Sequence, residues 1–527
     1  MGESRWDQLA CALFAGLTAL VLVTFDDYGI NSDEIAHFTN GATVLDYYSI
    51  LLHEGPGERA RQYHSASMYF GGDLYRYGAL VDAVTTATSR LLRADPIATA
   101  HLVDALIGVL GIVGCWKLAR QIAGPKAGFF AAAMLALVPA YYGHMFNNPK
   151  DVPFAAAYVW ALYYIAVVLE SARPRSMLLL KLGLAMGAAM GVRVGGLILP
   201  TYLVALLVGK HVWTSNRGRW RRAAVELSRD LVVVAGPPVA VAYVVMTVSW
   251  PWIHPDPILR PLAALEDLTV RYLGEITILF DGALYTPKSL PRTYVAKHLV
   301  VQLPEPVLVL LLLSPVLFFV HRGRRLAVAL VATAAVFPVL YAAIRHAPAY
   351  NGFRHFLFVV PPLVTVAAVT LASLHDTVRR RHPTAAGVLL AFVSLLAAWT
   401  AGEMWRLHPY QYLFYNQLVG GTHGAAGRYE LDYYCHSYAE AVRELDARLR
   451  KAHGPRYADM SVRVFTDDNP FSSTPWFPPN WTHVARADDA DYVISKKPAE
   501  SGEVLFTIER DGVTLNFVRA RGPEARS

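Results

Sequence analysis

The stretch QLACALFAGLTALVLVTF, residues 8–25, is followed after a short spacer by NSDEIAHFTN, residues 31–40. An uncharged run of this length is sufficient for a helix that crosses the hydrocarbon core of a membrane. It is longer than the apolar centre of a secretory signal, and no small-x-small cleavage site follows it. We therefore interpret it as the first membrane-spanning helix. Two adjacent acids, Asp33 and Glu34, then stand where the chain leaves the lipid, and His37 follows Asp33 by one helical turn.

The composition indicates a polytopic membrane protein. The 527 residues are 54% hydrophobic and 17% charged, whereas a soluble domain usually carries about 25% charged residues. The net charge of +7 does not indicate nucleic-acid binding, because the basic clusters lie in short loops between apolar segments. These clusters are NRGRWRR (216–222), HRGRR (321–325) and RRRH (379–382). The pattern is typical of loops that face the cytoplasm, and the three cysteines are expected to be unpaired.

Apolar runs separated by turn residues or charges predict eleven membrane-spanning helices. The predicted spans are 8–25, 97–121, 127–143, 153–171, 176–192, 194–209, 229–249, 304–320, 326–344, 355–373 and 384–402. The stretch 176–209 is too long for one ordinary helix, and we divide it at GVRVGG (191–196), where glycines suit a turn. The predicted fold class is therefore an α-helical polytopic membrane protein.

The basic loops also orient the chain. If they face the cytoplasm, the N-terminus is cytoplasmic and the C-terminus lies outside. The long loops 26–96 and 250–303 then lie on the outer face. Helix-like apolar spacing in 33–53 and in about 74–93 predicts two helices along the membrane surface.

The tail has the composition of a soluble domain. The stretch YAEAVRELDARLRKAHG (438–454) predicts an amphipathic helix that ends at Gly454. Four later stretches predict strands: SVRVFT (461–466), DYVIS (491–495), VLFTI (504–508) and VTLNFV (513–518). We divide the chain into a transmembrane module, residues 1–429, and a small outer α/β domain, residues 430–527.

The predicted topology brings ionisable residues from several loops to the outer face. Asp33 and Glu34 begin the first outer loop, and Asp151 in HMFNNPKDVPF (144–154) precedes a span. Arg193 lies in the turn at 191–196, and YNGFRHFLFVVPP (350–362) places Arg354 and His355 where another span begins. Ionisable groups at such depths are costly unless they are paired or used.

Each of these residues also has a structural interpretation. Asp33 could cap a surface helix, and Asp151 could simply precede the proline of a first helical turn. The Arg193 side chain could reach along the membrane so that its charged end lies at the membrane–water interface. Arg354 with His355 could bind lipid headgroups. His37 is more typical of packing or hydrogen bonding than of a ligand.

Carboxylates and arginines on one membrane face favour transfer of a group from a lipid phosphate. A carboxylate can remove a proton from an acceptor hydroxyl or amine. An arginine can bind a phosphate through two hydrogen bonds and stabilise it as a leaving group. One base and one stabilised leaving group are what inverting transfer requires, whereas the paired carboxylates of glycoside hydrolases form a different arrangement.

Several motifs resemble those of bacterial family 39 glycosyltransferases, which include protein O-mannosyltransferases and aminoarabinose transferases. These motifs are DE after the first span, NNPKDVPFA (147–155), RHFLFVVPP (354–362) and NQLVGG (416–421) followed by YELDYYCHSYAEA (429–441). The resemblance implies the GT-C fold, a polyprenyl-phosphate sugar donor, and an acceptor in the cell envelope that is a glycan, a lipid or a protein.

The resemblance also implies roles for particular residues. Asp33 corresponds to the acid of the family's first loop, proposed as base or acceptor-positioning residue, and Glu34 to its neighbour. Asp151 corresponds to the second acidic position. Arg193, Arg354, His355 and Lys150 correspond to positions that contact the donor phosphate. The family is regarded as metal-independent, so no cofactor is expected, although Asp33, Asp151 and His37 could together hold a divalent ion.

Two other functions are compatible with a polytopic membrane protein. A transporter or lipid flippase should place its charges near the middle of the bilayer and often shows internal repeats, and we find no repeat. A non-enzymatic envelope scaffold would not need the acids and arginines. The aromatic and proline-rich loop 250–303 could cover a bound donor, or it could form an interfacial aromatic belt.

Overall fold

The computed structural model describes residues 4–67, 76–214, 220–270, 276–316, 324–467, 470–498 and 501–521. Within these residues, eight helical segments are long and apolar enough to cross a membrane. They are Arg5–Asp27, Pro96–Ala123, Asp151–Glu170, Val194–Val212, Arg221–Ser249, Arg325–Arg345, Arg354–Arg381 and Pro383–Leu407. A pair of helices bent by 115°, Tyr294–Gln302 and Glu305–Val316, makes a ninth if it is counted as one span.

The predicted spans all coincide with apolar helices of the structure, and the polytopic helical fold is confirmed. Two of them, 127–143 and 176–192, are shorter than a full span. The first is interrupted before Pro139 and gives the helices Pro125–Ala136 and Pro139–His144, and the second gives Ser176–Met190. The count of eleven therefore stays a prediction. Parts of the basic loops, 216–219 and 321–323, and the end of the predicted span 304–320 lie outside the described residues.

Several spans contain more than one helical element because the local geometry changes along them. Arg221–Ser249 combines the helix Trp220–Asp230, a π-helical turn at Leu231–Ala235 and the helix Gly236–Ser249. Arg193 precedes a short 3-10 turn, Val194–Leu197, before the helix Ile198–Thr214 begins, so the predicted division at 191–196 is confirmed. The span Arg354–Arg381 begins as the 3-10 turn Arg354–Val359 and continues as the helix Val360–Arg381.

The spans differ in how deeply they lie in the bundle. In the most apolar part of each span, 78% of the residues of Arg354–Arg381 and 72% of those of Asp151–Glu170 are buried, whereas only 11% of those of Pro383–Leu407 are buried. The first two are therefore central and the last is peripheral. Small residues allow close helix packing. A Cβ added at Gly183 would lie 2.6 Å from Cβ of Val241, so Ser176–Met190 can approach Gly236–Ser249 only because this residue is a glycine.

The segment that follows the first span, residues 26–96, folds into helices. Ser32–Glu54, Glu58–Ser67 and Leu80–Leu92 are observed, which confirms helices in the predicted ranges 33–53 and 74–93. Residues 74 and 75 of the second range lie outside the described residues. Side-chain contacts hold two of these helices together, because Asp82 accepts a hydrogen bond from Asn40 at 2.7 Å and lies 2.8 Å from the ring of His37.

The loop 250–303 carries more secondary structure than its sequence suggested. It contains the helix Leu259–Val270 and a hairpin of β1 (Ile278–Phe280) with β2 (Ala283–Tyr285), and it ends in the helix Tyr294–Gln302. None of these elements was predicted from the sequence. The many prolines obscure the apolar spacing from which short helices and strands are predicted, so these elements are evident only in the folded structure.

The tail forms the expected α/β structure. The helix Ser437–His453 ends at Gly454, whose φ of +53° lies in the left-handed region that favours glycine. It packs on a sheet of β3 (Val462–Thr466), β4 (Trp481–His483), β5 (Tyr492–Ser495), β6 (Glu503–Arg510) and β7 (Val513–Ala520) in the order β4-β3-β5-β7-β6. The pairs β3–β4 and β3–β5 are parallel, and the others are antiparallel. The four predicted strands are observed, and only the three-residue strand β4 was missed.

Candidate active site

Asp33 lies at the start of the helix Ser32–Glu54 and meets two basic side chains. Asn31 caps this helix, since its side-chain oxygen accepts the backbone N–H groups of Asp33 at 2.8 Å and Glu34 at 3.0 Å. The Asp33 carboxylate accepts hydrogen bonds from Lys150 at 3.3 Å and from Arg354 at 3.1 Å. Its side chain remains 35% exposed, whereas that of Arg354 is 4% exposed. Asp33 is therefore held by buried cations but can be reached from outside.

The surrounding charges keep Asp33 ionised. Burial alone would raise the pKa of its carboxyl, but the positive charges of Lys150 and Arg354 outweigh burial and hold the pKa well below its usual range. Burial opposes the charged form of Lys150, and the nearby Asp33 reverses the effect, so the pKa of Lys150 lies above its usual value. Both groups carry their charges at neutral pH.

Asp151 and Arg193 form a second ion pair beside the first. Asp151 begins its helix and is 2% exposed, and Arg193 reaches it from the turn after Met190. Asn148 orients the carboxylate, because its amide donates to Asp151 at 2.9 Å while its oxygen accepts the Asp151 N–H at 2.9 Å. The Tyr77 ring connects the two pairs, with the Lys150 ammonium 5.1 Å and the Arg193 guanidinium 5.5 Å from its centroid.

Arg354 connects the ion pairs to the tail. The same guanidinium nitrogen that donates to Asp33 also donates to the hydroxyl of Tyr434 at 2.9 Å. The guanidinium lies between the rings of Tyr350 and Tyr434, 4.9 Å and 5.2 Å from their centroids. Its Nε is buried and has no hydrogen-bond partner in the described part of the chain. The Arg354 guanidinium is therefore held in place through Nη1, and its Nε–H remains available to a ligand.

Tyr434 was not among the predicted site residues. Its hydroxyl accepts hydrogen bonds from Arg354 and from Asn148, each at 2.9 Å. A phenolic oxygen has two lone pairs and one proton, so both lone pairs are occupied and the proton points elsewhere. The motif YELDYYCHSYAEA contains this residue, so the signal was present, but three neighbouring aromatics gave no means of choosing among them.

A cavity of about 630 Å³ adjoins the ion pairs. Its wall is mostly apolar and comes from the helices that contain Phe337, Phe358 and Ile198, and from Leu262 of the loop 250–303. Its polar lining includes Arg193 and His355. His355 lies edge-on to the ring of Tyr350, with centroids 4.7 Å apart. The cavity thus joins a hydrocarbon-like wall to the cationic residues of the site.

Glu34 and His37 are not brought into this cluster. The Glu34 carboxylate accepts the Asn31 N–H at 2.8 Å and lies 2.9 Å from the His101 ring, and it is 1% exposed. His37 pairs with Asp82. Asp104 lies in the same buried region, and neither of its carboxylate oxygens has a hydrogen-bond partner within the described ranges. These contacts favour a role for Glu34 and His37 in holding the outer loop on the bundle.

The side chains do not fit a metal site. Asp33, Asp151 and His37 each point to a different partner, namely Arg354, Arg193 and Asp82. Among the described residues, no group of three or more His, Cys, Asp and Glu side chains has an arrangement that could hold a metal ion. The geometry therefore does not support the divalent ion considered for these three residues.

Comparison with known proteins supports the predicted resemblance over part of the chain. Residues 79–235 match the family described as dolichyl-phosphate-mannose-protein mannosyltransferase. This range contains Asp151, Lys150 and Arg193 of the site. No curated protein is significantly similar to the sequence.

Several solved structures are similar to this chain at low identity. ArnT from Cupriavidus metallidurans in the apo state is 15% identical, with 98% of each chain covered and a TM-score of 0.49. The same protein bound to undecaprenyl phosphate is 14% identical, with the same coverage and TM-score. The oligosaccharyltransferase AglB from Archaeoglobus fulgidus, in complex with an inhibitory peptide and a dolichol-phosphate, is 13% identical. There, 88% of this chain and 63% of that chain are covered, with a TM-score of 0.48.

Proposed function

We propose that the protein is an inverting glycosyltransferase that moves a monosaccharide from a polyprenyl-phosphate donor to an acceptor in the cell envelope. The observation that carries this proposal is the cavity beside the ion pairs, because Arg193 and His355 line an otherwise largely apolar wall. A lipid with one phosphate needs an apolar surface for its hydrocarbon chain and polar groups for its phosphate at one end of that surface. The acceptor is a glycan, a lipid or a protein.

The donor phosphate has three cations and one imidazole ring within reach. Arg193 lines the cavity together with the ring of His355, and the cations Arg354 and Lys150 lie beside it through their shared contact with Asp33. Guanidinium groups suit a phosphate that gains charge as the bond to the sugar breaks. The unpartnered Nε of Arg354 and the unused proton of Tyr434 add two donors for phosphate oxygens.

Asp33 is the candidate base because it is the partly exposed acid of the cluster. It takes the proton of the acceptor hydroxyl or amine as that atom forms a bond to the anomeric carbon of the sugar. The bond from the anomeric carbon to the phosphate oxygen breaks, and the polyprenyl phosphate leaves with the electron pair. Attack opposite to the leaving phosphate inverts the configuration.

The low pKa of Asp33 also links its basicity to the donor. A phosphate bound by Lys150 and Arg354 brings negative charge beside the carboxylate and draws on the same cations. Both effects raise the pKa of Asp33 towards the range in which it accepts a proton. The base is thus weak until the donor arrives.

Asp151 takes a different role from a base. It is almost fully buried and is paired with Arg193, so an acceptor does not reach it. In this proposal Asp151 is a positioning residue that holds Arg193 towards the cavity. Glu34, which contacts the backbone of Asn31 and the ring of His101, is proposed to hold its loop in place rather than to react.

The proposed location is the inner membrane of a bacterium. The N-terminus lies in the cytoplasm, and the C-terminal α/β structure lies on the outer face with the site. This orientation rests on the basic loops of the sequence. The eight apolar helices support a multi-pass membrane protein without fixing its orientation.

The test is sugar transfer by the purified protein in detergent, with a panel of polyprenyl-phosphate monosaccharides and the Asp33→Asn variant as control. Turnover of one donor that disappears in the variant supports the proposal and names the sugar. If no donor is bound or turned over under conditions in which a related transferase works, the proposal fails. A transporter would instead move a donor across vesicles and keep the sugar–phosphate bond intact.

A further inference from the structure

A second cavity lies at the opposite end of the bundle from Asp33. The helix Asp151–Glu170 begins at the candidate site and ends, about 30 Å away, at the loop of residues 171–175. This loop, the start of the helix Ser176–Met190 and the turn at Leu231–Ala235 enclose a cavity of about 600 Å³. The candidate reaction does not use it.

The packing of two helices explains why the cavity exists. Ser176–Met190 and Gly236–Ser249 are in close contact at Gly183 and Gly187, where an added Cβ would lie 2.6 Å and 2.5 Å from Cβ of valines on the other helix. Towards residue 176 the cavity lies between the two helices, where Leu231–Ala235 forms a π-helical turn followed by Pro237 and Pro238. Such turns inside helices are frequent at functional positions.

The cavity joins aliphatic side chains to two arginines. Leu179, Leu180 and Val233 contribute to its apolar wall, and Arg173 and Arg229 contribute to its polar lining. Both arginines are exposed, and neither has a hydrogen bond or ion pair to any other described residue. Asp230, which also lines the cavity, contacts the ring of His211 at 2.9 Å and forms no ion pair with either arginine among the described residues.

We propose that this cavity binds an anionic glycerophospholipid, with its phosphate between Arg173 and Arg229 and its acyl chains along Leu179, Leu180 and Val233. Guanidinium groups bind phosphate through paired hydrogen bonds. Basic pockets between membrane helices recognise anionic headgroups in the same way. A free phosphate would use the arginines but not the aliphatic wall, so the two ligands can be distinguished. This inference does not depend on the proposed transferase activity.

The experiment measures lipid binding by native mass spectrometry of the delipidated full-length protein in detergent. Phosphatidylglycerol and phosphatidylcholine with the same acyl chains are compared for the wild type and for Arg173→Gln/Arg229→Gln. A matched control, Arg175→Gln/Arg222→Gln, removes the same charge from the same loop and helix but from residues that do not line the cavity.

We expect the wild type and the control to bind phosphatidylglycerol roughly ten times more tightly than phosphatidylcholine, because both lipids carry the phosphate but only phosphatidylcholine also carries a cation, which the two arginines repel. The cavity variant should lose this preference. Ser176→Trp, which fills the cavity without a change of charge, should weaken the binding of phosphatidylglycerol as well. Equal preference in the cavity variant and the control would overturn the proposal. Displacement of the lipid by an equal concentration of glycerol 3-phosphate would also overturn it, because the aliphatic wall would then contribute nothing.

Discussion

Arg354 donates a 3.1 Å hydrogen bond to Asp33, although 321 positions separate the two residues in the chain. The same nitrogen donates to Tyr434, so one guanidinium joins the first outer loop, the start of a central span and the tail. An arginine that is 4% exposed and bonded in this way cannot move without affecting all three segments. The acid that is proposed to act as base is therefore fixed by a residue that is also proposed to hold the leaving phosphate.

Asp33→Asn removes the proposed base and keeps the size of the side chain. Turnover should fall by roughly 10²–10⁴-fold, which is the usual contribution of a general base. Binding of the donor should remain, because Arg354 and Lys150 lose a carboxylate partner and become more available to a phosphate. The measurement is initial rate of transfer together with donor affinity. Loss of donor binding with the loss of turnover would mean that Asp33 maintains the site rather than reacts.

Arg354→Lys keeps the charge and removes the planar guanidinium, in which one nitrogen serves Asp33 and Tyr434 while Nε has no partner among the described residues. A lysine can reach Asp33 or a phosphate, but it cannot reproduce the geometry towards Asp33, Tyr434 and the donor together. We expect kcat/KM to fall roughly 10²-fold, with the larger share in kcat, because leaving-group charge develops in the transition state. Steady-state kinetics with the donor that the wild type uses provide the check. An unchanged kcat with a raised KM would assign Arg354 to donor binding alone.

Tyr434→Phe tests the unused hydroxyl proton. Its loss should lower kcat roughly tenfold, which corresponds to about 1.4 kcal/mol for one hydrogen bond formed in the transition state. The neighbouring Tyr433 is the matched control, because its hydroxyl lies 3.0 Å from the His144 ring and makes no hydrogen bond to Arg354 within the described residues. Tyr433→Phe should therefore retain kcat within about twofold, since a hydrogen bond outside the reaction does not change the barrier. Equal losses in the two variants would show that the aromatic cluster acts only through packing.

The helices were predictable because their signals are local. Apolar runs and the glycine at 454 act on neighbouring residues, and the structure has helices where they predict them, although Asn31 and not Asp33 caps the helix Ser32–Glu54. The different roles of Asp33 and Glu34 were not predictable from their adjacency. Successive residues on a helix point about 100° apart. Asp33 consequently meets Lys150 and Arg354, whereas Glu34 turns back to the backbone of Asn31 and to His101.

Long-range contacts explain what else the sequence did not reveal. Tyr434 meets Asn148 across 286 positions, and no spacing along the chain encodes that contact. The secondary structure of the loop 250–303 was likewise not apparent from the sequence, because its hairpin is fixed by contacts outside the loop. Asp281 at its tip accepts a hydrogen bond from Arg428 at 2.8 Å, and the backbone of Gly282 donates to the carbonyl of Arg428 at 2.9 Å.

Glu34→Ala separates a positioning acid from a reacting one. The variant removes half of the helix cap and leaves His101 buried beside an empty position. Loss of one partner of a buried pair costs on the order of 3 kcal/mol. We expect a clear fall in the thermal unfolding midpoint, and Asp33→Asn should lower it as well because it leaves Arg354 and Lys150 without a counter-charge, so turnover is what separates the two acids. Turnover per folded molecule should remain within a few fold for Glu34→Ala. An intact unfolding midpoint with abolished turnover would return Glu34 to the reaction.

Glu430 predicts how stability depends on pH. Burial raises the pKa of its carboxyl from 4.5 to about 7, although the backbone N–H groups of Asn351 and Leu279 partly oppose the shift. The folded protein therefore holds this proton more tightly than the unfolded chain. The resulting stabilisation is complete below pH 4.5 and is lost as the pH rises to about 7. A difference of this size corresponds to about 3 kcal/mol.

Glu430→Gln removes the titration and keeps the hydrogen-bond acceptor of the side chain. The variant should unfold at a higher temperature than the wild type at pH 8, and the two should converge at pH 5, because only the wild type gains the stabilising proton there. Glu444→Gln is the control, since Glu444 lies on the exposed face of the tail helix and pairs with Arg448. It should shift the unfolding temperature equally at both pH values. If the stability of the wild type does not fall between pH 5 and pH 8, then ionisation of Glu430 does not lower the free energy of unfolding, and the pKa of this carboxyl is not raised in the folded protein. The junction it forms between Leu279 and Asn351 would then not respond to pH.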